Sequence, residues 1–244
     1  SLVGFEDTIG TKMINVIIDN AQYLEDNLPF DKSFKREVAT GSKGAAANLL
    51  SFSGDGGPVV SLGNCLPNNW IREKIGSRST IFSNIIKERA IPKREVFERF
   101  LNKEYHDHAE LYLETAINYW IQLHECVGHA SGKLNDGVAE NALGTLGSVI
   151  EECRADLVAM YYVGDVEFTT QFLSKIAPQI TNVDMFIKVA YAQYLTDGVL
   201  FQLSRVDKGE HKLAQAHFRN RQINSSYVIE KALELGGLHW SDGD

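Results

Sequence analysis

The chain has 244 residues, of which 44% are hydrophobic, and 32 acidic against 24 basic side chains give a formal net charge of −8. This length fits one large domain or two small ones. The acidic balance argues against nucleic acid or an anionic membrane surface as a partner, and no apolar run approaches a membrane span in length. Three cysteines without a C-x-x-C pair predict a reducing, cytoplasmic location.

The first hundred residues combine a predicted helix with a long loop region. Apolar residues at near-helical spacing predict a helix over the first thirty residues, ended by Leu28-Pro29. Residues 40–69 are rich in Gly, Ser and Asn, which predicts loops with short extended pieces such as residues 59–62. No G-K-[ST] follows the glycines at P-loop spacing, so we expect this loop to line a substrate rather than to bind phosphate.

The rest of the chain predicts helices before and after a histidine motif. A short helix is predicted over residues 94–102, and a long one from Tyr105 to His124 with its apolar residues on one face. Further helices are predicted over residues 151–162, 183–204 and 212–235. This helical share is far above the usual third of a globular protein. The predicted fold is therefore mainly α, with a Gly-rich loop and short strands.

The histidine motif, residues 124–129, reads H-E-x-x-G-H and is the most informative stretch of the sequence. In the familiar H-E-x-x-H pattern the two histidines share a helical face. A spacing of i+4 leaves them roughly 40° apart in a regular helix, whereas i+5 leaves them roughly 140° apart. Both rings face one ion only if the helix widens into a π-type turn. Gly128, directly before His129, tolerates such a distortion at the least steric cost.

An acidic cluster, residues 151–156 with the sequence E-E-C-R-A-D, completes a candidate metal site. Glu152 would supply the third protein ligand and leave the fourth position to water, as in catalytic zinc sites. Glu151 and Asp156 are candidates to accept the outer N–H of a ligating histidine. Taken alone, this cluster would indicate an exposed helix face with an Arg pair. Zinc is predicted from the ligand types, and cobalt or manganese suit similar ligands.

The two motifs resemble those of the dipeptidyl peptidase III family, in which H-E-x-x-G-H is followed by E-E-C-R-A-E/D. Residues 129–134 are similar to that family's continuation of the first motif. Residues 50–54, followed by residues 66–68, are similar to its substrate-binding segment, which ends in a Pro-Asn pair. Residues 216–221 resemble a later helix with a functional His and Arg. The resemblance runs over nearly the whole chain.

This resemblance implies the metal site and the chemistry of a zinc metallopeptidase. His124, His129 and Glu152 would bind one zinc ion. Glu125 would act as the general base that takes a proton from water at the metal. The implied activity is release of dipeptides from the free amino end of short peptides.

The resemblance also implies residues that contact the substrate. His217 would help to stabilise the tetrahedral intermediate, and Arg221 would bind the far end of the peptide. Asn68 and Asn64 would hold the peptide backbone near its amino end, with Cys65 as the alternative to Asn64.

The chain departs from the family pattern in its length. Family enzymes have several hundred residues and two lobes around a wide cleft, so this chain looks like an excised middle portion or a naturally short relative. The family's acidic anchor for the amino group and its catalytic tyrosine have no visible counterpart. We therefore interpret residues 1–244 as a single catalytic region, in which residues 1–100 line the substrate and residues 101–244 carry the zinc-binding helices. If the chain is such an excised portion, the other lobe of the parent enzyme would be a partner.

Two other functions stay open at this point. A different zinc aminopeptidase or an endopeptidase would use the same metal site. A non-catalytic remnant would bind peptides and hold zinc structurally or not at all. Cys126 and Cys153, which neighbour proposed ligands, indicate either an oxidation-sensitive site or small buried residues.

Overall fold

A computed structural model describes residues 2–39, 43–53, 62–66, 77–100, 102–139, 141–197, 206–209 and 215–236. Most of these residues are helical, and the predicted mainly α fold is confirmed. The helices are α1 (Thr8–Ile18), α2 (Ala21–Asp26), α3 (Ser83–Phe100), α4 (Lys103–Leu123), α5 (Gly147–Val163), α6 (Val166–Ile176), α7 (Val183–Leu195) and α8 (Ala216–Glu234). The strands are β1 (Leu2–Glu6), β2 (Lys43–Phe52), β3 (Gly63–Leu66) and β4 (Arg78–Phe82).

The four strands form one mixed sheet in the order β1-β2-β4-β3. Strand β1 is antiparallel to β2, β2 is parallel to β4, and β3 is antiparallel to β4. Within the described ranges β3 is therefore an edge strand, in which Asn64 lies opposite Thr80 and Cys65 opposite Ser79. This edge contacts the chain just after α4, so the sheet and the histidine motif are neighbours.

The predicted helix over the first thirty residues is wrong in its first part. Residues 2–6 form β1, and α1 begins only after Asp7, whose carboxylate accepts hydrogen bonds from the N–H groups of Ile9 and Gly10. This N-cap fixes the start of the helix. Phe5 is largely exposed although it fits the helical spacing. The helical spacing of apolar residues therefore extends by chance into residues 2–6, which form a strand because they pair with β2.

Strand β2 falls where loops were predicted, because its residues are poor strand formers by composition. Its first half is Lys-Gly-Ala-Ala-Ala, and Gly and Ala are depleted in strands. Small residues are needed there because α1 lies close to the sheet. A Cβ atom on Gly44 would come within 2.6 Å of Ile14 Cγ2, and one on Gly10 within 2.5 Å of Ala46 Cβ. Of the predicted extended piece, residues 59–61 lie outside the described residues.

The helices pack around α4, which contacts α3, α5 and α7. Tyr119, near the carboxyl-terminal end of α4, is buried and stacks on Phe172 with ring centroids 4.2 Å apart. Helix α3 is longer than the predicted helix over 94–102, since it follows directly from β4 at Ser83. In the described ranges no helix combines the length and apolar character needed to cross a membrane.

Candidate metal centre

Helix α4 continues into a π turn over His124–Gly128, as the i+5 spacing of the histidines predicts. The N–H of His129 donates to the carbonyl of His124 at 3.0 Å, five residues back instead of four. The Glu125 carbonyl thereby loses its regular helical partner and accepts instead from the Ser79 hydroxyl of β4 at 3.2 Å. The two imidazole rings lie edge to face with centroids 4.7 Å apart. The predicted bulge is confirmed.

The reason predicted for Gly128 needs correction. Gly128 does not have a positive φ, so backbone freedom is not what the position requires. A Cβ atom there would lie 2.6 Å from the Ala155 carbonyl oxygen and 2.7 Å from Ala155 Cα. Both are backbone atoms of α5 and have little room to move. The glycine therefore lets the helix that carries Glu152 approach the π turn closely.

Replacing Gly128 with Ala is expected to separate these two backbones and destabilise the fold. Overpacking of this kind costs about 1–3 kcal/mol and occasionally more, and the high end is expected here because backbone atoms cannot move aside easily. Chemical denaturation of Gly128→Ala measures this loss. The matched control is Gly147→Ala, since a Cβ atom at Gly147 meets nothing within 4 Å. Equal stability of the two variants would contradict the close approach.

The side chains of His124, His129 and Glu152 converge on one point. Glu152 Oε2 lies 3.3 Å from His124 Nε2 and 3.7 Å from His129 Nε2, and the three candidate ligand atoms all lie within 4.8 Å of one another. Ligands about 2.1 Å from a tetrahedral zinc ion lie about 3.4 Å apart. The observed spacing therefore suits a metal ion at the centre of the three atoms.

The surroundings of the Glu152 carboxylate also suit a bound cation. Its Oε2 atom is buried and receives no hydrogen bond of regular geometry, although imidazole nitrogens of three histidines lie within 3.7 Å of it. A buried carboxylate oxygen without such a partner is costly unless an ion balances it. Two imidazoles and one carboxylate are a common donor set of catalytic zinc sites. The residues present thus fit a divalent metal ion.

The outer nitrogen of each histidine is engaged by a carboxylate of α5. Asp156 Oδ1 lies 2.8 Å from His124 Nδ1, and Glu151 Oε1 lies 3.1 Å from His129 Nδ1. These contacts fix the tautomers so that Nε2 of each ring is free for the metal. Glu151 is held in turn by Arg154, whose Nη2 donates to Glu151 Oε1 at 2.7 Å. The structure thus brings both predicted carboxylates to the predicted nitrogens.

The carboxylates make the centre strongly attractive to positive charge. Burial lowers the pKa of His124, but the hydrogen bond with Asp156, the close Glu152 carboxylate and the Asp156 and Glu125 charges outweigh burial and raise the pKa to about 10. Burial likewise raises the pKa of Glu152, yet His124 and His217 bring that pKa far below its usual range. A proton and a metal cation are favoured here for the same electrostatic reason.

The predicted substrate residues differ in how they lie relative to the candidate metal centre. His217 reaches the centre, since its Nδ1 lies 3.2 Å from Glu152 Oε2, and its side chain is half exposed. Asn64 lies on the edge strand β3, on the opposite face from the buried Cys65. A Cβ atom on the preceding Gly63 would lie 3.5 Å from Glu125 Cγ, so β3 passes beside the proposed base. Asn68 lies outside the described residues.

Arg221 does not lie where a substrate-binding residue is expected. Only 5% of it is exposed, and its Nε lies 2.9 Å from Asp156 Oδ2. The guanidinium carbon sits 4.5 Å from the Trp120 ring centroid and 4.3 Å from that of Tyr194. Its charge is thus directed at an acidic partner inside the protein. This placement does not support a contact with the far end of a peptide.

Sequence reasoning missed the polar residues behind Asp156. Asp156 Oδ2 accepts from Asn220 Nδ2 at 2.6 Å and from the Tyr194 hydroxyl at 3.0 Å, and Asn224 Nδ2 donates to Tyr194 at 2.9 Å. All of these residues are buried. The available signal was Asn220 and Asn224 one turn apart on α8, adjacent to Arg221. Two polar residues at that spacing indicate a shared hydrogen-bond partner only when the helix face that carries them is known to be buried.

The Cys126 thiol is expected to resist alkylation in the folded protein. Burial raises its pKa to about 12, so at pH 8 the reactive thiolate is depleted roughly a thousandfold relative to an ordinary cysteine. Reactivity should therefore stay low through neutral pH and rise only toward strongly alkaline pH. Timed iodoacetamide labelling with peptide mass spectrometry checks this, with the urea-unfolded chain as the control. Rapid labelling of Cys126 in the folded chain would favour the oxidation-sensitive interpretation.

The chain is a member of a peptidase family. The sequence profile of peptidase family M49 matches residues 1–142 and 135–237, and the chain belongs to this family. Its fold is similar to the structure of DPP III from Caldithrix abyssi, with a TM-score of 0.71 and 22% identity over 95% of this chain and 42% of that one. It is also similar to dipeptidyl-peptidase III from Corallococcus sp. strain EGB, with a TM-score of 0.70 and 21% identity over 99% of this chain and 42% of that one. The chain thus spans less than half the length of either protein.

Proposed function

We propose that this chain carries the catalytic centre of a zinc-dependent dipeptidyl peptidase that acts on short peptides in the cytoplasm. The observation that carries the proposal is the convergence of His124, His129 and Glu152 on one point, with the outer nitrogen of each histidine held by a carboxylate. Membership of family M49 supports peptide hydrolysis. The likeness in fold to two DPP III structures supports the dipeptidyl type.

Catalysis would depend on the side chains of Glu125 and His217. A bound zinc ion would supply an activated water and polarise the peptide carbonyl. Glu125 is adjacent in sequence to His124 but absent from the group of three ligands, which leaves its carboxylate to take a proton from water and pass it to the leaving amine. His217, half exposed beside Glu152, would donate a hydrogen bond to the developing oxyanion.

The edge of the sheet would position the peptide. In the described part of the chain no strand pairs with the outer edge of β3, whose backbone passes beside Glu125. An extended peptide can add to such an edge through main-chain hydrogen bonds. Asn64 and Asn68 would then contact the peptide near its amino end. This arrangement orients the scissile bond toward the proposed base.

A pair of matched peptides tests the dipeptidyl activity. We expect mass spectrometry to show dipeptides released from a hexapeptide with a free amino end. We also expect the amino-acetylated hexapeptide to react roughly a hundredfold more slowly, because the acetyl group removes the free ammonium and adds bulk at the end of the peptide that Asn64 and Asn68 would hold. Equal cleavage of both peptides would indicate an endopeptidase. Release of single amino acids would indicate an aminopeptidase, and either result would contradict dipeptide release.

A further inference from the structure

Arg221 is a buried cation whose surroundings point to a purpose other than substrate binding. Its guanidinium lies between the rings of Trp120 and Tyr194 and pairs with Asp156, and a second carboxylate oxygen, Asp197 Oδ2, lies 3.8 Å from its Nη1. Burying a guanidinium is costly unless charged and polar partners compensate. The partners here come from three different helical segments. Arg221 therefore joins α8 to the helices that carry the metal site.

Asp156 connects this cation to a proposed metal ligand, because its two oxygens are used separately. Oδ1 lies 2.8 Å from His124 Nδ1, while Oδ2 lies 2.9 Å from Arg221 Nε and also accepts from Asn220 and Tyr194. Each partner of Oδ2 restricts rotation of the carboxylate. The direction of Oδ1, and with it the orientation of the His124 ring, is thus set from α8.

Trp120 provides a second connection between Arg221 and the same histidine. It lies one helical turn before His124 on α4, and the centroids of the two rings are 5.7 Å apart. The indole also contacts the guanidinium of Arg221, whose carbon lies 4.5 Å from the ring centroid. The His124 ring is therefore held at its Nδ1 by Asp156 and along its side by Trp120, and Arg221 contacts both of these residues.

We infer that Arg221 is a positioning residue, which fixes Asp156 and Trp120 so that His124 presents Nε2 to the metal. The inference rests on the proposed metal centre and goes beyond it by naming the residue that orients it from α8. It replaces the substrate contact implied for Arg221 by the family resemblance. A positioning residue should alter metal affinity and ligand geometry, whereas a substrate-binding residue should alter KM alone.

The test compares Arg221→Met, which keeps most of the side-chain volume, with Arg219→Met on the same helix as the matched control. Zinc affinity is measured by competition with a chromogenic chelator, and ligand geometry by the visible absorption of the cobalt-substituted chain. We expect Arg221→Met to weaken zinc binding about ten- to hundredfold, as loss of outer-shell partners does, and to shift the cobalt spectrum. Arg219→Met should change neither. For hydrolysis, kcat should fall while KM stays near the wild-type value.

An unchanged zinc affinity and cobalt spectrum in Arg221→Met, with a raised KM, would overturn the inference. If Arg221→Met does not fold, Asp156→Asn and the double variant Asp156→Asn/Arg221→Met replace it, since the double variant leaves no unpaired buried charge at this pair. The double variant should then bind zinc no more weakly than Asp156→Asn alone, and a further loss of zinc affinity in the double variant would overturn the inference. A wild-type chain that binds zinc but cleaves no peptide would contradict the proposed function only. One that binds no zinc would contradict both.

Discussion

Replacing Glu125 with Gln is expected to abolish most peptide hydrolysis while the metal stays bound. The substitution keeps the shape of the side chain but removes its capacity to accept a proton, and general-base catalysis contributes about 10²- to 10⁴-fold to rate. Glu125 is not one of the three converging ligands, so zinc affinity should stay within a few-fold of wild type. Steady-state kinetics on a free-amino hexapeptide and chelator competition measure the two quantities.

The control for this variant is Glu114→Gln, which makes the same chemical change on the exposed face of the same helix. It should retain wild-type activity and metal affinity. Peptide hydrolysis at the wild-type rate by Glu125→Gln would exclude Glu125 as the base. Loss of metal from Glu125→Gln would instead make Glu125 a ligand, contrary to the observed convergence.

Replacing Glu152 with Ala is expected to remove the metal and the activity together. Structural zinc sites with four ligands have binding free energies of about 10–16 kcal/mol, so one ligand accounts for about 3 kcal/mol and its loss weakens affinity by roughly a hundredfold or more. The neighbouring His124 and His217 also lose the carboxylate that faces them. Elemental analysis after dialysis and thermal unfolding with and without added zinc measure the effect.

The control for Glu152→Ala is Glu167→Ala, since Glu167 is exposed on α6 and is not a member of the metal-binding group. That variant should retain metal and show the same zinc-dependent rise in Tm as wild type. A wild-type metal content in Glu152→Ala would show that the carboxylate is not a ligand and that the third position is filled differently.

The residues of the candidate metal centre were largely predictable from the sequence because they lie in two short motifs. The i+5 spacing of His124 and His129 permits one ion only in a π turn, and that turn is present. Glu151 and Asp156 flank Glu152 at helical spacings that place them toward the two histidines. Within one helix, residue spacing fixes direction, so a short motif predicts both the ligands and the residues that orient them.

The features that the sequence did not reveal depend on contacts between distant segments. Strand β2 is rich in Ala and Gly, which suit the close approach of α1 but carry no strand signal of their own. The requirement for Gly128 comes from the backbone of α5 and not from its own conformation. The family resemblance implied a substrate contact for Arg221, and its burial between Trp120 and Tyr194 emerges only when three helices pack together.

The most direct test of the account is the metal content of the purified wild-type chain, measured by elemental analysis beside Glu152→Ala. The account predicts about one zinc ion per wild-type chain, as the three-ligand site requires, and almost none in the variant. A folded wild-type chain that holds no zinc, even after zinc is added and the excess is removed, would contradict the central claim that His124, His129 and Glu152 form a metal centre.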